Sequence, residues 1–214
     1  MIKDRRDELV QKVRSMIQER ISNEEGLLHG MKTVDALERL GVSYHFEKEM
    51  SLFMDFLNRK PAPSNDLCAV ALQFRLLRQH HYDNSCEVFK NFMSEDGNLN
   101  TDTQQSNVDA LLSLYEAAHF GKCNEDFLTS AINFTKDRLS SLAKCGQLLK
   151  PVLMKVQHAL AAPTHRRIKR LEAKLYISVY EDDEGSDQDL VELAKLDFHI
   201  LQQMHRDEVK SISL

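Results

Sequence analysis

Apolar residues recur three and four positions apart from one end of this chain to the other, the spacing that lines one face of an α-helix. Little competes with that pattern, because 7 Gly and 4 Pro in 214 residues are too few turn formers for a sandwich or barrel of short strands. The first stripe is Val10, Val13, Ile17 and Ile21. The second, Leu27, Met31, Val34 and Leu37, runs into Gly41, a residue suited to close a helix in the left-handed conformation. Phe46, Met50, Phe53, Met54 and Leu57 form a third, ended by Pro61 and Pro63. Ser64-Asn65-Asp66 then offers a choice of N-caps. The helix that follows from Leu67 is apolar nearly all round until Arg75, which predicts a place at the centre of the packing.

A short fifth helix is predicted through Val88, Phe89, Phe92 and Met93, ended by Asp96-Gly97, with a loop over 98–107. Ser106 and Asp109 resemble a capping box for the stripe Leu111, Leu112, Tyr115 and Ala118, which Gly121 stops. Asn124 is the expected cap for Phe127, Leu128, Ala131, Ile132, Leu139 and Leu142. Pro151 suits a first helical turn ahead of Val152, Val156 and Leu160. Ile168, Leu171, Leu175 and Val179 make the next stripe, and a last helix runs from about Leu190 to the end. The expected fold is all-α, about ten helices with short connections and antiparallel neighbours. No apolar run approaches a membrane span, the first residues lack a signal-peptide core, and four scattered cysteines read as reduced thiols. These features predict a cytoplasmic protein, and a net charge of −5 argues against nucleic acid as a partner.

The residues that carry chemistry elsewhere do not converge here. Asp183 and Asp187, in the run from Glu181, would share a helical face suited to a divalent cation, but Gly185 and Ser186 favour a solvated loop. Glu116-x-x-His119 has the spacing of a di-iron ligand pair, yet no second E-x-x-H exists to complete such a site. His80-His81 with Cys86 lacks zinc spacing, and the basic cluster from His165 to Arg170 reads as one charged helix face. There is no nucleophile elbow and no glycine-rich phosphate loop. On the residues alone, no catalytic, cofactor-binding or metal-binding site is predicted.

Several stretches, taken in order, resemble the plant terpene synthase family. They are Leu40-Gly41-Val42-Ser43-Tyr44-His45-Phe46, the segment Leu72 to His80, Leu112-Ser113-Leu114-Tyr115-Glu116-Ala117-Ala118-His119, Arg170-Leu171-Glu172-Ala173 with Tyr176-Ile177, and Leu193-Ala194-Lys195-Leu196-Asp197-Phe198. The resemblance implies an α-barrel-like N-terminal domain over residues 1–190, with 191–214 corresponding to the start of a catalytic domain. In the complete family that second domain carries D-D-x-x-D and Asn/Asp-Ser/Thr-Glu motifs. They bind Mg²⁺ and so grip the diphosphate of a prenyl substrate as it leaves. Neither motif, nor an Arg-x-Arg element, occurs here, so the resemblance implies a domain inactive alone. Three explanations are open: a reduced family member, a helical module docking on a partner protein through the face the catalytic domain would cover, or part of an active C15 synthase. The family's arginine pair followed by Trp also has no counterpart, since Arg5-Arg6 lies inside the first helix. Arg166 and Leu175 stand where the family often has Trp, which predicts a locally looser core.

Overall fold

A computed structural model describes residues 2–22 (backbone alone for 20–22), 26–61, 65–92, 107–183 and 185–212. These contain nine α-helices: α1 (Ile2–Ser22), α2 (Leu27–Arg39), α3 (Glu47–Asn58), α4 (Leu67–Gln79), α5 (Val108–Ala118), α6 (Asp126–Lys144), α7 (Lys150–Ala161), α8 (Lys169–Glu181) and α9 (Gln188–Ile212). Short 3₁₀-helices lie at Ser43–His45, Cys86–Phe92 and Thr164–Arg166, and no strand occurs among the described residues. The all-α expectation holds. The chain divides within α3 into two compact units, residues 1–53 with 168–214, and residues 54–167.

In the first unit α1 packs against α2 and α9, and α8 against α2 and α9. Val10, Val13 and Ile17 of the predicted first stripe are buried, as are Met31, Val34 and Leu37 of the second. In the second unit α5 packs against α4, α6 and α7. Its main core gathers Val70, Phe74, Phe89, Leu114, Ala117 and Leu128, and a smaller one joins Leu111, Tyr115, Leu139, Val156 and Ala159. The predicted centrality of α4 is borne out, since ten of its thirteen residues, Leu67–Gln79, are buried.

Helix ends follow local chemistry. Asp66 caps α4, its carboxylate accepting from the Cys68 and Ala69 amides, and Pro151 lies in the first turn of α7. After α2, Gly41 at φ 76° lets its own amide reach Glu38 O and the Val42 amide reach Leu37 O. The same two bonds close α4, from His81 to Arg78 O and from Tyr82 to Leu77 O, with His81 at φ 66° in the glycine position. Gly41→Ala is therefore expected to cost about 1–2 kcal/mol, the more so because its Cβ would stand 3.2 Å from Ala173 Cβ. His81→Gly, relieved of the same strain, should stabilise by about 0.5 kcal/mol net of the extra chain entropy. Paired urea titrations check the opposite signs.

Four expectations need correction. The fifth helix is a 3₁₀-helix ending at Phe92, whose near-threefold repeat turns Phe89 and Phe92 to the same side, into the core; Met93 and Asp96-Gly97 lie outside the described residues. Ser106 also lies outside them, and Asn107 caps α5 by accepting from the Asp109 and Ala110 amides. Asn124, at φ 71°, forms the turn ahead of α6 rather than capping it. Gly121, no left-handed stop, is needed for space, since a Cβ would meet Ala118 O at 3.2 Å and Leu128 Cβ at 3.3 Å.

The largest discrepancy concerns α8. Of the predicted inward stripe, Ile168, Leu171 and Leu175 are 67%, 58% and 50% exposed, and Val179 is half-buried. The buried side is Glu172, Ala173 and Ile177. Tertiary partners decide this rotation: Glu172 accepts from the Arg39 guanidinium at 3.0 Å, which lies 3.9 Å over the Tyr176 ring. Leu175 and Arg166 are both exposed, so neither position leaves the expected gap in the core.

Candidate functional site

Two of the stretches quoted for the resemblance, residues 40–46 and 193–198, meet through polar bonds. Tyr44 and His45 reach the buried Asp197 across more than 150 residues, at 2.6 Å from the phenol oxygen and 3.0 Å from His45 Nε2 to the same Oδ1. Burial first, and then the bond to Asp197, pushes the Tyr44 phenol well above the usual tyrosine range. The second Asp197 oxygen is buried without a hydrogen bond among the described residues. Arg14 supports the same corner, donating to His45 O at 2.7 Å and pairing with Glu49 at 2.9 Å.

Arg78, from the second stretch, forks onto both carboxylate oxygens of Glu125 at 2.5 Å and also donates to the carbonyls of Asn84 and Phe120. The bond from Arg78 leads in holding the Glu125 carboxyl down at about 2. Glu116 accepts from the Thr164 amide at 2.8 Å and from Arg167 at 3.4 Å, so it does not join His119 as a ligand pair. His119 Nε2 is buried with no hydrogen bond among the described residues, and burial first, then the nearby His165, Arg166 and Lys136 charges, lowers this imidazole to about 4.

The remaining candidates are likewise used locally. Asp183 accepts from the Gly185 amide, and Asp187 accepts from the Asp189 and Leu190 amides at the start of α9, in a loop as the residues predict. Burial first, then Glu125, raises the Cys86 thiol. The basic cluster splits: Arg167 is buried on Glu116, while Arg170 stacks at 4.9 Å on the Phe198 ring. Among the described residues no three His, Cys, Asp or Glu side chains are grouped to hold a metal ion, so they do not fit the Mg²⁺ that the resemblance associates with complete enzymes.

What the first unit does present is a surface. The exposed stripe of α8 lies on the helix that packs against α9, and the C-terminal part of α9 from Gln202 onward is itself exposed. A groove of about 570 Å³ runs there, lined by Arg170, Phe198, Gln202, His205, Arg206, Val209 and Lys210. Phe198 and Val209 give it apolar surface, and Arg170, Arg206 and Lys210 give it positive charge. Spacing alone gave no sign that the α8 stripe faces outward or that a groove runs beside α9.

An all-helical domain with helices tied by buried ion pairs, and with an outward apolar face, is the class of protein these features define. The chain belongs to the terpene synthase family, its residues 1–160 matching the terpene synthase N-terminal domain. It is 42% identical over 187 residues to a sesquiterpene synthase of Cananga odorata, covering 87% of this chain and 33% of that one. To the (S)-beta-bisabolene synthase of Zingiber officinale it is 40% identical over 209 residues, covering 98% and 37%. The crystal structure of isoprene synthase from grey poplar leaves superposes with a TM-score of 0.89 at 33% identity, over 99% of this chain and 40% of that one. The chain thus spans about a third of the length of the curated relatives it matches. No helix among the described residues is long and apolar enough to cross a membrane.

Proposed function

We propose that this chain serves as a terpene synthase N-terminal helical domain, catalytically silent alone, which docks on a synthase catalytic domain. The observation that carries the reading is the outward stripe of Leu171 and Leu175 on α8 with Ile168 at its N-cap, apolar surface that the first unit leaves uncovered. The relatives extend well beyond the matched region, and a catalytic domain is the natural occupant of that face. Arg170, Arg206 and Lys210 at the groove favour carboxylates opposite them on the partner. The reaction class then belongs to the partner: Mg²⁺-assisted departure of diphosphate from a prenyl substrate, with a C15 substrate favoured by the two sesquiterpene-forming relatives and a cytosolic setting by family analogy. No step of that reaction is assigned to residues of this chain.

Two measurements test the proposal. Incubated with Mg²⁺ and geranyl or farnesyl diphosphate, the purified chain should release no hydrocarbon above a heat-killed control; product would overturn the silent reading. Titrated against a separately expressed sesquiterpene synthase catalytic domain, it should form a one-to-one complex that weakens with salt. Leu171→Asp with Leu175→Asp should weaken binding at least tenfold while circular dichroism stays unchanged. Absence of any complex, or one indifferent to both substitutions, would remove the docking reading.

A further inference from the structure

Residues 162–167 link α7 to α8; the Thr164 amide ties them to Glu116 of α5, and Arg167 ties them to His158 of α7 through a bond that demands a neutral imidazole. Arg167 Nε donates to Ala162 O at 2.7 Å, and its Nη1 lies 3.2 Å from His158 Nδ1. Arg166 Nε lies 3.3 Å from His165 Nε2. A guanidinium carries donors and no acceptor, so in each pair the imidazole nitrogen accepts through its lone pair. A proton on either acceptor abolishes the bond and sets two cations face to face. His119 adds a third imidazole, its ring 5.9 Å from that of His165 and edge-on to Tyr115 at 4.7 Å.

We propose that this segment is a proton-operated latch: it closes on Glu116 of α5 and His158 of α7 while the histidines are neutral, and acidification releases it. The surrounding charges point the same way. Lys136 of α6, Arg166 and Arg167 of the segment, and the neighbouring histidines are cationic or become so on acidification. Arg78 of α4, which donates to Phe120 O beside His119, is matched by Glu125. Glu116 is the carboxylate that faces the segment from α5, and it already holds the Thr164 amide and Arg167.

Burial, followed by Arg166, lowers His165 against the opposing pull of Glu116, and His119 stands at about 4. A histidine held below its ordinary value stabilises the folded chain fully above pH about 6.5. It loses that contribution as pH falls toward the folded value. Both shifts favour the neutral imidazole, the form in which the Arg166 and Arg167 bonds can be made.

The Thr164 amide, bound to Glu116 Oε2 at 2.8 Å, reports the closed state directly. Its hydrogen-exchange protection factor, followed by NMR on the full chain from pH 7.5 to 4.5, should fall at least tenfold while that of Phe74 in the core holds. His158→Gln with His165→Asn keeps an oxygen acceptor at both places without a titrating group, and should reduce the fall below twofold. Glu116→Gln, which keeps an acceptor for Thr164, should leave the fall in place. Constant Thr164 protection, loss in step with Phe74, or an undiminished fall in the double variant would each overturn the latch. If that variant does not fold, the wild-type comparison of Thr164 with Phe74 decides by itself.

Discussion

Replacing Arg78 with alanine is expected to destabilise the 54–167 unit by about 3–5 kcal/mol, because it strands a carboxylate that folding has withdrawn from water. The Arg78 side chain is 4% exposed and that of Glu125 15%. The guanidinium also holds the Asn84 and Phe120 carbonyls, which join the ends of α4 and α5 to the loop before α6. Arg78→Lys retains the charge but not the planar fork, and should recover less than half of the loss. Urea unfolding followed by circular dichroism measures both. A pH series adds a second readout. The Glu125 carboxyl is depressed in the folded chain, so its stabilising contribution is complete above pH about 4.5 and fades as pH falls toward about 2. Without Arg78 that acid dependence should shift upward. An Arg78→Ala protein within 1 kcal/mol of the parent, with an unchanged acid limb, would refute the account.

Phe74→Ala is the second large loss expected, again about 3–5 kcal/mol, through the cavity left in the core of the second unit. Phe74 is fully buried, its ring edge-to-face with Phe89 at 5.0 Å, and Arg78 Cζ lies 4.4 Å above it. Phe74→Leu should cost markedly less, since it keeps much of the volume. The aromatic ring and the guanidinium touch, so the two losses should not add: Phe74→Ala in an Arg78→Ala background is expected to cost about 0.5–3 kcal/mol less than in the parent. Strict additivity in the double-mutant cycle would show that ring and cation act independently.

Much of this fold was legible in the residues because helix formation is a local matter. Period, caps and breakers act within a few positions, which is why the ends at Gly41, Asp66 and Pro151 fall where expected. The misreadings share a cause. Asn124 and Gly121 are small residues whose role depends on what stands opposite them, and the sequence names no opposing atom. His81 occupies a left-handed position that a glycine would have advertised. The ordered motifs revealed the family, but not that Tyr44 and His45 close on Asp197 or that Arg78 closes on Glu125.

The sequence by itself determined an all-helical chain, its helix order and its terpene synthase kinship, since each rests on residue type and near-neighbour spacing. Only the tertiary structure decided which side of each helix is covered. An apolar stripe states that a face can be buried, and packing chooses whether it is. On α8 the pairing of Glu172 with Arg39, and the close approach of Ala173 to Gly41, turn Ile168, Leu171 and Leu175 outward. That rotation converts a predicted core stripe into the surface on which the proposed function rests.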